Sequence, residues 1–231
     1  THCDYVPIID ISNSVKHFDI KEAAFLVGNG YKYFPKGTIH IVHVGSNEGK
    51  GKLLVAIIDG HYFITFDNGI LSMAFDKIFP QEVYRVNEEL LENHTLLYEN
   101  AIAKVIGLLL QEYRPSDFGQ PVTETVNYRL LQPITTQGGL KGSVIYIDHF
   151  GNAVVNITRK IFDEYVGERK FTISANVAYT KVISKTFSEA EEGEMVCIFN
   201  SADYLEVGMN KAKAEQLMGL KIGSVILVAT E

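Results

Sequence analysis

Cysteine is scarce in this 231-residue chain: only Cys3 and Cys197 occur, far apart and without a C-x-x-C pair. That excludes a disulfide framework or a structural zinc site, and a reducing cytoplasm is the expected compartment. Long apolar runs are missing as well. No stretch approaches the roughly 20 residues of a membrane helix, and the start, THCDYVPIID, lacks the charged-then-apolar layout of a secretory signal, so no membrane association is expected. Like charges do not cluster. The 28 acidic and 21 basic residues give a net charge of −7, which argues against a phosphate-tracking surface and against nucleic acid as a partner. Neither G-x-x-x-x-G-K-[ST], G-x-G-x-x-G nor G-x-S-x-G is present, which removes the usual mononucleotide, dinucleotide and serine-hydrolase readings. His43 and His61 have no second ligand at recognisable spacing, so no metal site is expected. An initiator Met is absent too, and the chain opens almost directly on an expected strand at Tyr5–Ile11, as though earlier residues were missing.

What is present suits a globular protein. A hydrophobic content of 46% can bury a sizeable core, and the length is comfortable for two domains. In the first half, strand-like and helix-like segments alternate. Pro7–Ile11 reads as a strand, and Ile20–Asn29 carries apolar residues at helical spacing behind Asp19, a plausible N-cap. Strands are expected at Thr38–Val44, Leu53–Ile58 and Tyr62–Thr65, and a helix over Leu97–Gln111. Such alternation predicts an α/β layer with a largely parallel sheet.

After Gly139 the texture changes to short strands: Gly142–Ile147, Ala153–Ile157, Lys170–Ile173, Thr180–Ile183, Met195–Phe199, Leu205–Gly208 and Ser224–Ala229. Their regular spacing predicts an all-β second domain, a small antiparallel sheet or barrel. The expected domains are residues 1–132 and 140–231, separated at the loop PITTQGG.

One stretch stands out. Val144–Ile157, VIYIDHFGNAVVNI, interrupts a β-branched run with Asp-His-Phe-Gly-Asn, so a strand break or bulge is expected there, relaxed by Gly151. The kink would gather a carboxylate, an aromatic ring and a carboxamide, the groups that suit a small polar molecule with a flat ring. Two other turns follow strands. Phe66-Asp-Asn-Gly69 reads either as a common tight turn or as a ligand-lining one. The glycine-rich His43–Lys52 segment reads either as a surface loop or as a ligand site at the C-terminal end of a strand.

These residues resemble the family of S-adenosyl-L-methionine (SAM) hydroxide adenosyltransferases, or SAM hydrolases, whose relatives include the fluorinase and chlorinase. The likeness rests on VIYIDHFGNAVVNI, on VPIIDISNSVKHFDIKEAA (Val6–Ala24), YFPKGTIH (Tyr33–His40), GHYFITFDNGIL (Gly60–Leu71), NSADYLEV (Asn200–Val207), Asn210 and MGLKIG (Met218–Gly223). It implies an N-terminal Rossmann-like α/β/α domain and a C-terminal antiparallel β-barrel. It also implies a homotrimer whose ligand sits between one subunit's N-terminal domain and its neighbour's C-terminal domain. SAM would be substrate or ligand, with no separate cofactor. Asp148 would face the methionine ammonium, Phe150 would pack on the adenine and Asn152 would bond an adenine edge. Ser201 would meet the methionine carboxylate, Phe18 would wall the adenosine, and Asp67 and Asn68 would line the pocket. A carboxylate against an ammonium and a flat ring on an aromatic face are physically apt pairings.

The sequence departs from the family's pattern where water is handled. The family's D-P-G-V-G loop, following Arg and H-G-R-D segment supply Asp, Arg and His. Gly45, Lys52 and Leu97 stand at those positions, and only Lys52 keeps a charge. The family's T-D-F-G strand falls upstream of Thr1, and Ala202 stands where some relatives carry Arg. A halogenase reading is disfavoured because Glu48, at a halide-facing position, would repel an anion. Glu48 could instead serve as a general base beside Lys52, or stand as a solvated loop acid. Two functions are therefore expected: hydrolysis of SAM to adenosine and methionine, or binding of SAM or adenosine by a member that has lost turnover.

Overall fold

The computed structural model describes residues 6–45, 52–75, 82–90 and 97–231, the last without the side chains of residues 97 and 98. The chain divides into two compact units, Thr1–Leu130 and Leu131–Glu231.

The first unit contains α1 (Ile20–Gly30), β1 (Ile39–Val42), β2 (Leu53–Ile58), β3 (His61–Phe66), α2 (Ile70–Ala74), β4 (Glu82–Val86), α3 (Leu97–Leu110), α4 (Pro115–Phe118) and β5 (Gly119–Pro121). Asp19 caps α1, its carboxylate accepting from the N–H groups of Lys21 and Glu22, which satisfies two otherwise orphan donors. The sheet order is β1-β3-β2-β4-β5. β2 buries both faces. Leu54, Ala56 and Ile58 join Phe63, Ala23, Ala24, Val27 and Ile70 on the side of α1 and α2. Leu53 and Val55 join Ile64, Phe66, Ala101, Ile102 and Val105 on the side of α3. This is an α/β/α layering, as expected.

Strand direction is a correction. Among the described residues β1 and β3 are the one parallel pair; β2–β3, β2–β4 and β4–β5 are antiparallel. The reason is local. Asp59 and Gly60, both with positive φ (49° and 79°), form a two-residue hairpin turn between β2 and β3, and a tight turn joins only antiparallel neighbours. Pro7–Ile11 is likewise no strand here, and Ile8 is 91% exposed.

The second unit contains β6 (Ile134–Thr136), β7 (Gly139–Ile147), β8 (Ala153–Thr158), α5 (Arg159–Val166), β9 (Phe171–Ala175), β10 (Ala178–Thr180), β11 (Met195–Phe199), β12 (Tyr204–Met209), α6 (Ala214–Leu217) and β13 (Val225–Thr230). Its strands run β10-β9-β13-β7-β8-β12-β11, with β6 on β7. The curl nearly closes as a barrel: the Ser184 N–H, just beyond β10, donates to the Cys197 carbonyl of β11. Leu140, Val155, Ile157, Ile173, Val207 and Ile226 fill the interior. Cys197 is buried and free, and burial pushes its thiol up.

The all-β expectation for this half is corrected by α5. Thr158 caps it by accepting from the Ile161 N–H, and Phe162 and Val166 are buried on one side.

Candidate functional site

The Asp148–Asn152 segment is a hairpin loop, not an interrupted strand. β7 and β8 pair antiparallel with Ile147 opposite Ala153, and the register shift lies earlier, between Val144 and Tyr146. The loop is built from its own polar groups. Asp148 Oδ1 accepts from the Asn152 N–H at 2.8 Å and Oδ2 from Asn152 Nδ2 at 3.1 Å. The Asp148 N–H donates to the Asn152 carbonyl, and the Gly151 N–H to the Asp148 carbonyl, both at 3.0 Å. Gly151 has φ +84°, and a side chain there would strike Lys213, so glycine is required on two counts. With the loop fixed, Phe150 is left 65% exposed beside His149, their ring centroids 3.9 Å apart. A rigid turn that displays a large ring to solvent is prepared to receive something flat.

Asn152 lies on the outer face of the barrel with residues of β12. Ala153, Val155, Leu205 and Val207 point into the core, and period-2 alternation sends Asn152, Glu206 and Gly208 the other way. Gly208 leaves a gap. A Cβ there would lie 2.4 Å from Phe187 and 2.6 Å from Asn152 Oδ1, so Phe187 and Asn152 close together over it. Sequence reading did not single out Phe187 or Glu206; the first is distant in sequence, and the second sits unremarked inside NSADYLEV.

Ser201 is exposed on the turn between β11 and β12. Asn200 shapes that turn: its Oδ1 accepts from the N–H groups of Ala202 and Tyr204 at 3.0 and 3.1 Å. Asn200 Nδ2 donates to Glu206 Oε2 at 3.0 Å. Glu206 is only 9% exposed. Burial pushes its carboxyl up, the Asn200 hydrogen bond pulls it back and the charge of Asp148 raises it further.

In the first unit, Phe18 immediately precedes the cap of α1. It is 79% exposed and holds φ +64°, an unusual backbone for an aromatic residue and one that concentrates at functional sites. Asp67 and Asn68 tie the end of β3 to neighbouring loops. The Asp67 N–H donates to the Lys52 carbonyl, and its Oδ1 accepts from the Val126 N–H. Asn68 Nδ2 donates to the Val44 carbonyl at 2.8 Å, and Oδ1 accepts from the Ile70 N–H at 3.2 Å. Gly45 has φ +64°, and a side chain at that position would lie 2.8 Å from Ile20. Lys52 is exposed. Glu48 lies outside the described residues, as do the side chains of Leu97 and Tyr98. Among the described residues no group of three or more potential metal ligands occurs, and no helix is long and apolar enough to cross a membrane.

A family model for the SAM hydroxide adenosyltransferase N-terminal domain matches residues 1–119, and that for its C-terminal domain matches residues 142–227. The chain belongs to the SAM hydroxide adenosyltransferase family. Within it, the chain is 23% identical over 219 residues to the (R)-S-adenosyl-L-methionine hydrolase of Methanocaldococcus jannaschii, covering 92% of this chain and 79% of that one. It is 24% identical over 234 residues to the hydrolase of the same name from Thermus thermophilus (94% and 85%). It is 24% identical to a fluorinase from an Actinoplanes species (98% and 88%). The fold matches a crystal structure of an uncharacterized conserved protein from Thermotoga maritima with a TM-score of 0.86 at 23% identity, covering 97% and 89% of the two chains. The family supports a small-molecule nucleoside as the chain's class of ligand.

Proposed function

We propose that the protein is a SAM hydrolase, splitting SAM with water to adenosine and L-methionine. The observation that carries this reading is the Asp148–Asn152 loop: a pre-formed turn that holds a carboxylate and a carboxamide while displaying Phe150. Phe150 would cover the adenine, Asn152 bond its edge, Asp148 attract the ammonium of the methionine end and Ser201 its carboxylate. Phe18 would wall the adenosine. Asp67 and Asn68 would shape the pocket by holding the chain at Lys52 and Val44. The ligand supplies its own leaving group, so no separate cofactor is needed. Water oxygen forms a bond to ribose C5′ while the C5′–S bond breaks. Sulfur keeps the electron pair and becomes the neutral thioether of methionine, and the water proton passes to a base. Glu48 is the proposed base and Lys52 the second proposed catalytic residue. The chemistry needs little beyond positioning and a dry pocket, because the sulfonium is already a good leaving group. A homotrimer in the cytoplasm is part of the proposal.

A specific observation supports a second reading, a member that binds SAM or adenosine without turnover. The backbone at Gly45 is left-handed and abuts Ile20, so the family's Asp would not fit there in this conformation.

Incubation of full-length protein with SAM, followed by chromatography, separates the two. Adenosine and methionine from the wild type but not from Glu48→Gln support hydrolysis with Glu48 as base. Tight SAM binding by calorimetry without product supports the second reading, and neither binding nor product refutes both.

A further inference from the structure

One buried acid stands between two of the turns assigned to the ligand, and neither the family assignment nor the sequence motif gives it a role. Glu206 projects from β12 on the face opposite the barrel core, opposite Val154 on β8 and Ile198 on β11. On one side it accepts the hydrogen bond from Asn200 Nδ2. The other end of the Asn200 carboxamide organises the turn carrying Ser201. Strand register brings the Asp148–Asn152 loop to its other side: Val207 pairs with Ala153, the residue after Asn152, and a Cβ at Gly208 would lie 2.6 Å from Asn152 Oδ1. Asp148 locks that loop, its charge adding to the upward push on Glu206.

We propose that Glu206 is a positioning residue for the amino-acid end of the ligand: it fixes the Ser201 turn through Asn200 and deepens the negative potential at Asp148. This rests on the reading of these turns as a SAM site. The energetics favour function over structure. A carboxylate kept nine-tenths buried beside a second carboxylate costs stability when ionised, because burial and like charge both oppose its charge. An amide would keep the acceptor for Asn200 and remove that cost. Retaining the acid makes sense where its charge is used, and a ligand ammonium offers that use by neutralising the crowded pair.

The role predicts a split between ligands. Adenosine lacks the amino-acid end, whereas SAM carries it. Calorimetry of wild type, Glu206→Gln and Glu206→Ala with SAM and with adenosine tests this, alongside thermal melting. Glu206→Gln is expected to melt at or above the wild-type temperature, bind adenosine within about twofold of wild type and bind SAM at least about tenfold more weakly. Glu206→Ala, which also releases Asn200, is expected to weaken SAM further. Wild-type SAM affinity in Glu206→Ala would overturn the proposal, as would an equal loss of SAM and adenosine, which marks a purely structural role. If wild-type protein binds neither ligand, the functional reading itself fails and takes this inference with it.

Discussion

Asp148 and Asn152 close their loop twice, once through the backbone N–H at 2.8 Å and once through the side-chain Nδ2 at 3.1 Å, both onto the same carboxylate. The groups proposed to meet the ligand are therefore also the scaffold of the loop, whereas the Phe150 ring is 65% exposed. The two residues should separate in mutation. Phe150→Ala is expected to change folding free energy by less than about 0.5 kcal/mol while weakening adenosine binding roughly tenfold. Asp148→Ala should lose affinity and also about 1–2 kcal/mol of stability through two stranded donors. Calorimetry and denaturant melts on both variants check this; wild-type affinity in both would sink the site.

Gly208 tests whether the outer face of the barrel is part of the site. Its missing Cβ leaves the space into which Phe187 and Asn152 close. Gly208→Ala should therefore cost about 1–3 kcal/mol by overpacking and weaken nucleoside binding by displacing Asn152. Unchanged melting and unchanged affinity would show that the two side chains move aside freely.

The interior of the first unit carries an acid sensitivity. His40 and His61, 4% and 3% exposed, meet at 3.2 Å between Nε2 and Nδ1, and His40 stacks on Phe63 with centroids 4.8 Å apart. Burial first, and the neighbouring His61 second, lower His40 from 6.5 to about 4. The unfolded chain thus takes up a proton that the folded chain refuses. Stability from this group is fully present above pH about 6.5 and falls as pH drops toward about 4, by up to roughly 3 kcal/mol. Melting temperature measured across that window should fall in the wild type and fall less steeply in His40→Phe. Parallel slopes would remove His40 as the cause.

Asn68 joins Val44 to the start of α2 through both ends of its carboxamide. Asn68→Ala is expected to cost about 1–2 kcal/mol and, because Val44 lies four residues before the proposed base Glu48, to lower kcat for SAM more than it raises KM. A loss of stability with unchanged kinetics would mean that this fastener has no bearing on the reaction.

Much of this was legible before the fold. The cap at Asp19, the core strands β2, β3, β8 and β11, and the helix α3 follow from residue type and periodicity, because burial on a regular element imposes its period on the sequence. The errors are equally physical. Asp59-Gly60 is a strong hairpin signal, and giving it full weight would have turned β2 and β3 antiparallel. Thr158 ahead of Ile161, Phe162, Tyr165 and Val166 is a capped amphipathic turn pattern, overlooked because the flanking strands set the texture of the whole half.

The sequence alone determined that Asp148, Phe150 and Asn152 lie close together, since four residues of chain cannot separate them far. It could not say that Phe187, Gly208 and Asn152 share one small space, or that Glu206, hydrogen-bonded to Asn200 at the Ser201 turn, lies within reach of the charge of Asp148. Those relations join residues as many as 58 positions apart, from Asp148 to Glu206, and they exist only because strand pairing in the barrel sets β8 against β12 and the alternation of the strands turns those side chains to the same face.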